Sequence, residues 1–239
     1  MKKLSDKIAR IDSLLRDYYG EPPRKETPQK PLNVLIGTIL SQNTNDKNSW
    51  RAYKNLRDRY KTWEEVRLAP TEEVMEVIKS AGLAKQKSAA IKGVLDELYA
   101  KQGRLDLEHT RTMSDEDIMK ELTSYKGVGV KTAACVLLFS LKRNICPVDT
   151  HVNRTVQRIG LTKTGQPDKT FYALMGNIPE GLAHSFHSNL ILLGREFCRP
   201  TAPDCPHCPL LDVCAYKEKN MHAGPKKFPY AGFLLLDKI

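Results

Sequence analysis

The chain has 239 residues, of which 41% are hydrophobic and 28% are charged, as is typical of a soluble globular protein. Its 38 lysines and arginines exceed its 28 aspartates and glutamates, and the net charge of +10 favours a polyanionic partner, nucleic acid above all. A generally basic protein without such a partner is the alternative. No apolar run approaches the ~18 residues of a membrane span and the N-terminus lacks a signal-peptide core, so we expect a cytoplasmic, nucleoid-associated protein with no membrane partner.

The sequence has helical periodicity from its first residues. Ile8, Ile11 and Leu15 share one face of a predicted helix that ends at Gly20. A polar, proline-containing linker follows, after which Pro31 opens an apolar helix. The polar stretch SQNTND ends this helix, and a further helix with regularly spaced aromatic residues follows it.

Capping residues mark several of the later helices. Thr62 and Glu65 form a capping box, as do Ser114 and Asp117. Between them, another predicted helix ends near Gly103. No alternating run of convincing length predicts a strand before the segment FLLL near the C-terminus, so the predicted fold class is all-α.

The helix that Ser114 caps leads into the run KGVGVK, which joins it to another predicted helix. Gly127 and Gly129 leave no Cβ on either side of Val128, so the backbone of this turn can approach another surface closely. Such a turn favours contact with nucleic-acid phosphates, and a helix–helix turn without a function is the alternative. A nucleotide-binding P-loop is excluded because Val130 stands where that motif needs glycine.

Two polar residues near the hairpin have positions with chemical consequences. Lys131 lies in the first turn of a predicted helix, where the helix dipole opposes a cation and favours a neutral, nucleophilic amine. A solvated or phosphate-binding lysine is the ordinary alternative. Asp149, 18 residues later in the run PVDTHVNR, is predicted to be a helix N-cap, and His151 is predicted to be structural.

Four of the six cysteines have the spacing C-x6-C-x2-C-x5-C. They are Cys198, Cys205, Cys208 and Cys214. Four thiolates on a short loop can hold either a tetrahedral zinc ion or an iron–sulfur cluster, and ligand chemistry alone leaves both open. His207 is an alternative ligand within the same loop.

Together, the runs GVGVKTA and VDTHVNR and the cysteine spacing resemble endonuclease III, of the helix-hairpin-helix DNA glycosylase superfamily. The resemblance covers roughly residues 5–216. It implies a two-lobed all-α fold with DNA bound between the lobes. One lobe is a six-helix barrel over 24–143 with the hairpin, and the other is a discontinuous iron–sulfur cluster domain over 1–23 and 144–216. Residues 217–239 form a C-terminal tail without a counterpart in that family.

By this resemblance, Lys131 corresponds to the catalytic nucleophile and Asp149 to an essential carboxylate. The four cysteines correspond to the ligands of a 4Fe–4S cluster, the expected cofactor, with zinc as the alternative. The implied activity is that of a bifunctional DNA glycosylase and AP lyase of base excision repair. Such an enzyme removes damaged, oxidised pyrimidines through a lysine Schiff base and cleaves the strand by β-elimination. The expected partner is double-stranded DNA with a damaged base or an abasic site, bound by a monomer.

The resemblance also implies which residues contact DNA. The hairpin residues in question are Lys126, Gly127, Val128 and Gly129. Leu83 corresponds to a wedge that enters the base stack, and the loop of Gln42 and Asn43 corresponds to one whose glutamine fills the gap left by the extruded base. Two departures from the family matter. Lys126 stands where the family usually has proline, and it adds a cation. Asn43 occupies the position of the gap-filling glutamine and Gln42 lies one residue earlier, so both residues are candidates for that role.

Other functions are possible within and outside this superfamily. Adenine glycosylases generally lack the lysine, and mismatch glycosylases commonly have tyrosine there, so Lys131 argues against both. A non-catalytic DNA-binding module with a structural metal would need neither Lys131 nor Asp149.

Overall fold

This computed structural model describes residues 2–24, 26–222 and 236. Within them the chain is helical and contains no β-strand, which confirms the all-α prediction. None of the helices in these ranges is long and apolar enough to cross a membrane. The α-helices are α1 (Lys2–Tyr19), α2 (Pro31–Ser41), α3 (Asp46–Arg59), α4 (Trp63–Leu68), α5 (Thr71–Val77), α6 (Ala84–Gln102), α7 (Asp115–Ser124), α8 (Val130–Cys135), α9 (Thr150–Ile159), α10 (Pro167–Leu174) and α11 (Ala183–Glu196).

Shorter helical segments lie between the α-helices. Three are 3₁₀ turns and one is a π-helical continuation of α8: Lys79–Ala81, Glu108–Thr112, Leu211–Val213 and Val136–Ser140. Helix ends agree with the sequence signals, since α1 ends directly before Gly20 and α6 directly before Gly103. The side chains of Thr62 and Ser114 cap α4 and α7, as predicted.

The described residues divide into two compact units. The first unit contains 2–24 and 143–222, and the second contains 26–142 together with Leu236. The division therefore falls at 24/25 and 142/143. The domain boundaries predicted from the sequence, 23/24 and 143/144, each lie one residue away.

The expected C-terminal tail is described only in part. Residues 217–222 belong to the first unit, whereas 223–235 and 237–239, with most of the segment FLLL, lie outside the described residues. Leu236 is buried, and its carbonyl accepts a hydrogen bond of 2.8 Å from Gln29 Nε2 in the second unit. The structure thus places this one residue of the expected tail on the second unit.

The first unit is built around α11, which packs against both α1 and α9. The predicted apolar face of α1, which includes Ile8 and Leu15, is buried. Asp12 on the same helix is also buried, and it accepts hydrogen bonds of 2.7 Å from Ser185 Oγ and 2.8 Å from Arg16 Nε. Burial raises the pKa of Asp12 in spite of these partners. Apolar packing and a buried polar contact therefore join α1 to α11.

The second unit has α2 at its centre, in contact with α3, α6 and α8. Every residue from Pro31 to Leu40 except Asn33 is buried, which explains why this helix is apolar on nearly all sides. Asn33 accepts a hydrogen bond of 2.9 Å from Trp63 Nε1. The helix ends at Ser41, where the polar loop begins that connects it to α3.

Candidate functional site

The run KGVGVK forms a tight hairpin between α7 and α8. Tyr125 and Val128 are buried, and the N–H of Val128 donates to the carbonyl of Tyr125 at 3.0 Å. Gly127 has a φ of +88°, and a Cβ at this position would lie 2.8 Å from the Cβ of Ala90 on α6. Backbone conformation and packing therefore both require glycine at position 127.

Gly129 has a different environment. Its φ of −97° suits any residue, and a Cβ here would meet no atom of the described residues within 4 Å. Gly129 is the N-cap residue of α8 and supplies no side-chain cap to the N–H groups of the first turn. The fold does not require glycine at this position, and its absence of a side chain leaves bare backbone at the surface.

Lysines stand on both sides of the hairpin glycines. Lys126 is exposed on the turn itself. Lys131 is half-buried in the first turn of α8, at the start of a helical stretch that continues through Ser140. The positive end of a helix dipole is an unfavourable place for a cation.

Gln42 and Asn43, which sequence reasoning left as equal candidates, have different surroundings. Gln42 Nε2 donates to the carbonyl of Gly127 at 3.1 Å and to Thr132 Oγ1 at 3.3 Å. Asn43 is exposed, with a φ of +50° in the left-handed region. Gln42 therefore fastens the α2–α3 loop to the hairpin, while Asn43 faces solvent.

Leu83 combines exposure with backbone strain. Its surface is 47% exposed, and its φ of +49° lies in the left-handed region that leucine rarely adopts. Gly82 before it also has a positive φ, of +68°. Backbone strain at an exposed apolar residue is typical of a functional site.

One buried lysine of the second unit was not among the predicted site residues. Lys87 on α6 is 2% exposed, and its Nζ donates to the carbonyls of Leu40 at 2.9 Å and Ala81 at 2.8 Å. Burial lowers the pKa of Lys87 to about 8. A sequence signal did exist, because Lys87 precedes the apolar Ile91 by one helical repeat of four residues and so falls on the buried face of α6.

The remaining predicted site residues lie in the first unit. Asp149 is half-buried and caps α9, as predicted, because its Oδ1 accepts a hydrogen bond of 2.8 Å from the N–H of Val152. His151 packs closely against Gly194 of α11, where a Cβ would lie 2.9 Å from the His151 Cβ. Burial lowers the pKa of His151, which favours a neutral imidazole at this helix contact.

Helix α9 also holds the loop that contains the cysteines. Arg154 Nε donates to the carbonyl of Cys198 at 2.7 Å. Arg158 Nη1 donates to the carbonyl of Arg199 at 2.7 Å and lies 3.6 Å from Cys198 Sγ. The helix whose first residue follows Asp149 thus also anchors the start of the cysteine loop. Sequence reasoning missed these two arginines, since no local pattern distinguishes them from surface cations.

The four cysteines lie around one cavity of about 30 Å³. The cysteines that line it are Cys198, Cys205, Cys208 and Cys214. His207 is not a lining residue, and its Nδ1 lies 2.7 Å from Asp204 Oδ1. Over the described ranges, no three His, Cys, Asp or Glu side chains form a group that could hold a metal ion. The structure therefore brings the four thiols, with the Asp204 carboxylate, to the lining of one cavity but does not gather them into a metal-binding group.

Comparison with known proteins identifies the family. Residues 36–180 match the sequence profile of the HhH-GPD superfamily of base excision DNA repair proteins. The chain is 34% identical to endonuclease III of Thermotoga maritima over 213 residues, which are 88% of this chain and 94% of that protein. It is also 36% identical over 203 residues to an Arabidopsis thaliana protein provisionally named a DNA glycosylase, and this match covers 84% of this chain and 66% of that protein.

A solved structure agrees with this assignment. A non-covalent complex of endonuclease III with DNA superposes with a TM-score of 0.72 at 27% identity, over 88% of this chain and 94% of that one. The profile match, the sequence identity and the structural likeness agree. The chain therefore belongs to the HhH-GPD superfamily of base excision DNA repair proteins, as a DNA glycosylase related to endonuclease III.

Proposed function

We propose that this DNA glycosylase is bifunctional, excising oxidised pyrimidines from double-stranded DNA and then nicking the strand as an AP lyase. The observation that carries the proposal is Lys131, an amine in the first helical turn after the hairpin. Hydrolysis of the glycosidic bond needs no amine at this position, whereas a lyase needs one to form a Schiff base. The resemblance to endonuclease III implies the class of substrate.

In this proposal the second unit grips the DNA backbone and replaces the extruded nucleotide. The bare backbone at Gly129 and the exposed cation of Lys126 support a phosphate contact by the hairpin. Leu83, exposed and strained, is the wedge that enters the base stack. We assign the gap-filling role to Asn43, because the amide of Gln42 already binds the hairpin. Unstacking costs a few kcal/mol, less for a damaged base.

The chemistry would proceed through an imine. Lys131 Nζ attacks C1′ as the base departs with its bonding electrons and takes up a proton. Loss of a proton from the attached amine and opening of the sugar ring leave an imine between Nζ and C1′. Removal of a proton from C2′ and expulsion of the 3′ phosphate then complete β-elimination. The charge of Asp149 would stabilise the cationic sugar and accept the proton from the amine.

We further propose that the four cysteines hold a 4Fe–4S cluster. The spacing of the four cysteines, together with the relation to endonuclease III, supports this cofactor over zinc, and the same four side chains line one cavity. Bound there, the cluster would supply four iron–thiolate bonds that cross-link the loop over 198–214. Base excision itself rests on Lys131 and Asp149.

Trapping with borohydride tests the role of Lys131. Borohydride added during turnover should reduce the imine and leave a covalent protein–DNA adduct. Lys131→Gln should abolish both the adduct and strand nicking, while affinity for an abasic analogue stays within about tenfold, or ~1.4 kcal/mol. Lys126→Gln is the matched control, since it removes a nearby amine; it should weaken DNA binding and still give the adduct at a saturating protein concentration. A robust adduct from Lys131→Gln would mean that another amine is the nucleophile.

A panel of duplexes tests the substrate class. Each duplex carries one lesion: an oxidised pyrimidine, a uracil or thymine mismatch, or an oxidised guanine. Base release and nicking are measured separately on each. We expect base release to be fastest on the oxidised pyrimidine and strand nicking to proceed at the same rate. Release without nicking on a mismatch would instead assign a monofunctional mismatch glycosylase.

A further inference from the structure

We propose that Lys87 is a positioning residue that holds two loops of the second unit in register, so that Asn43 and Leu83 enter the DNA together. The loops are the α2–α3 loop over 42–45 and the short loop over 82–83 that precedes α6. The inference rests on the proposed function, because it assumes that both loops enter the duplex. It assigns to Lys87 a role in damage recognition without contact to DNA.

The ammonium group of Lys87 joins the ends of two helical segments. Its Nζ donates at 2.9 Å to the carbonyl of Leu40, in the last turn of α2, and at 2.8 Å to that of Ala81, the last residue of its 3₁₀ turn. Carbonyls at a helix end have no intrahelical donor, and the helix dipole makes a cation their favoured partner. One side chain therefore fixes the backbone immediately before both loops.

Packing alone does not explain a lysine at this position. Lys87 is 2% exposed and lies on the same buried face of α6 as Ile91 and Val94. Burial of its charge is unfavourable, as the lowered pKa of about 8 records. An apolar side chain would fill this face without that cost. What lysine adds is the pair of hydrogen bonds to Leu40 and Ala81.

Both loops contain a residue whose backbone needs external support. Asn43 has a φ of +50° and Leu83 a φ of +49°, in the left-handed region unfavourable to residues with a Cβ. Such conformations persist where surrounding contacts fix them. The acceptors of Lys87 stand three residues before Asn43 and two residues before Leu83. Loss of Lys87 would therefore release both residues at once.

The pair of variants Lys87→Met and Lys92→Met tests the inference. Methionine keeps an unbranched side chain of similar length and removes the donors. Lys92 is the matched control because it lies on the same helix and also donates to two backbone carbonyls, those of Arg67 and Ala69. These acceptors stand at the end of α4, which the proposed function does not use.

The probe is a duplex with a tetrahydrofuran abasic analogue opposite 2-aminopurine, whose fluorescence rises when the base is unstacked. Wild-type protein should prefer this duplex to an undamaged one and should raise the fluorescence. Lys87→Met should lose about tenfold or more of that preference and most of the fluorescence rise. Its affinity for undamaged DNA should be unchanged. Lys92→Met should keep both the preference and the fluorescence rise, even if its melting temperature falls as far as that of Lys87→Met.

Each outcome distinguishes between explanations. Equal preference and equal fluorescence in the two variants would overturn the inference and leave Lys87 a purely stabilising residue. Should Lys87→Met fail to fold, Lys87→Gln and Lys92→Gln replace the pair, since the shorter glutamine cannot bridge two carbonyls and the same contrast is expected. A wild-type protein without preference for the analogue would contradict the proposed function instead.

Discussion

Asp149 has a structural contact and a proposed chemical role in the same carboxylate. Its Oδ1 accepts the hydrogen bond from the N–H of Val152 that caps α9. Asparagine ranks with aspartate at helix N-caps, because its amide oxygen accepts the same hydrogen bond. The substitution Asp149→Asn therefore removes the charge and keeps the cap.

We expect Asp149→Asn to slow single-turnover base release by at least about a hundredfold, since the charge that supports the lysine and the cationic sugar is lost. The melting temperature should change little. Thr62→Ala is the control for capping: it removes the side-chain cap of α4, at about 1 kcal/mol, and should leave base release per folded molecule unchanged. An Asp149→Asn protein with an unchanged melting temperature and wild-type base release would reduce Asp149 to a cap.

Among the structural elements, the hairpin between α7 and α8 contains two glycines whose substitution by alanine should affect the stability of the protein very differently. Gly127→Ala should destabilise the protein by about 2 kcal/mol or more, because an L residue is strained at its φ of +88° and the new Cβ would meet Ala90. Gly129→Ala should change the free energy of unfolding by less than about 0.5 kcal/mol.

The same Gly129→Ala protein should bind damaged and undamaged duplexes more weakly by a similar factor. Its added methyl group would stand between the backbone and a DNA phosphate, and phosphate contacts carry no sequence information. Urea unfolding and binding titrations at one fixed salt concentration measure both effects. Unaltered affinity in Gly129→Ala would show that the hairpin does not approach DNA at this residue.

The helices could be predicted from the sequence because their signals are local. Ser114 marks a helix start through a hydrogen bond three residues away, and proline and glycine act at their own positions. Contacts between distant segments had no such signal. Gln42 bonds to Gly127 across 85 residues, and Lys87 to Leu40 across 47. The different surroundings of Gln42 and Asn43 and the role of Lys87 could therefore be recognised only in the tertiary structure.

At the scale of the whole molecule, the cysteine loop belongs to one unit only, and this gives a prediction about metal removal. Protein purified without air should contain about four irons per chain. Removing them by oxidation and chelation should increase amide hydrogen exchange over 198–216 and in α9, because Arg154 and Arg158 anchor that helix to the loop. The helices α2 and α6 of the second unit should keep their protection.

Two results would contradict this picture of the cofactor. A colourless protein with one zinc per chain would show that the cysteines hold a single zinc ion and not a cluster. Equal loss of protection in both units would mean that the metal stabilises the entire chain. Cys135→Ala is the control variant, because Cys135 is buried in the second unit, outside the proposed ligands, and its removal should leave the iron content unchanged.

The discontinuous first unit has a consequence for the order of folding during synthesis. Its contact between Asp12 and Ser185 joins residues 173 positions apart, which a ribosome adding about 5–20 residues per second spans in roughly 9–35 s. The part of the second unit over 26–142 is contiguous and is synthesised within that interval, so it can fold first, and Leu236 joins it later. Until α11 emerges, the apolar face of α1 lacks the helix against which it packs most extensively. Helix α1 waits longest for this partner, and its apolar face is therefore open to aggregation with other chains during synthesis.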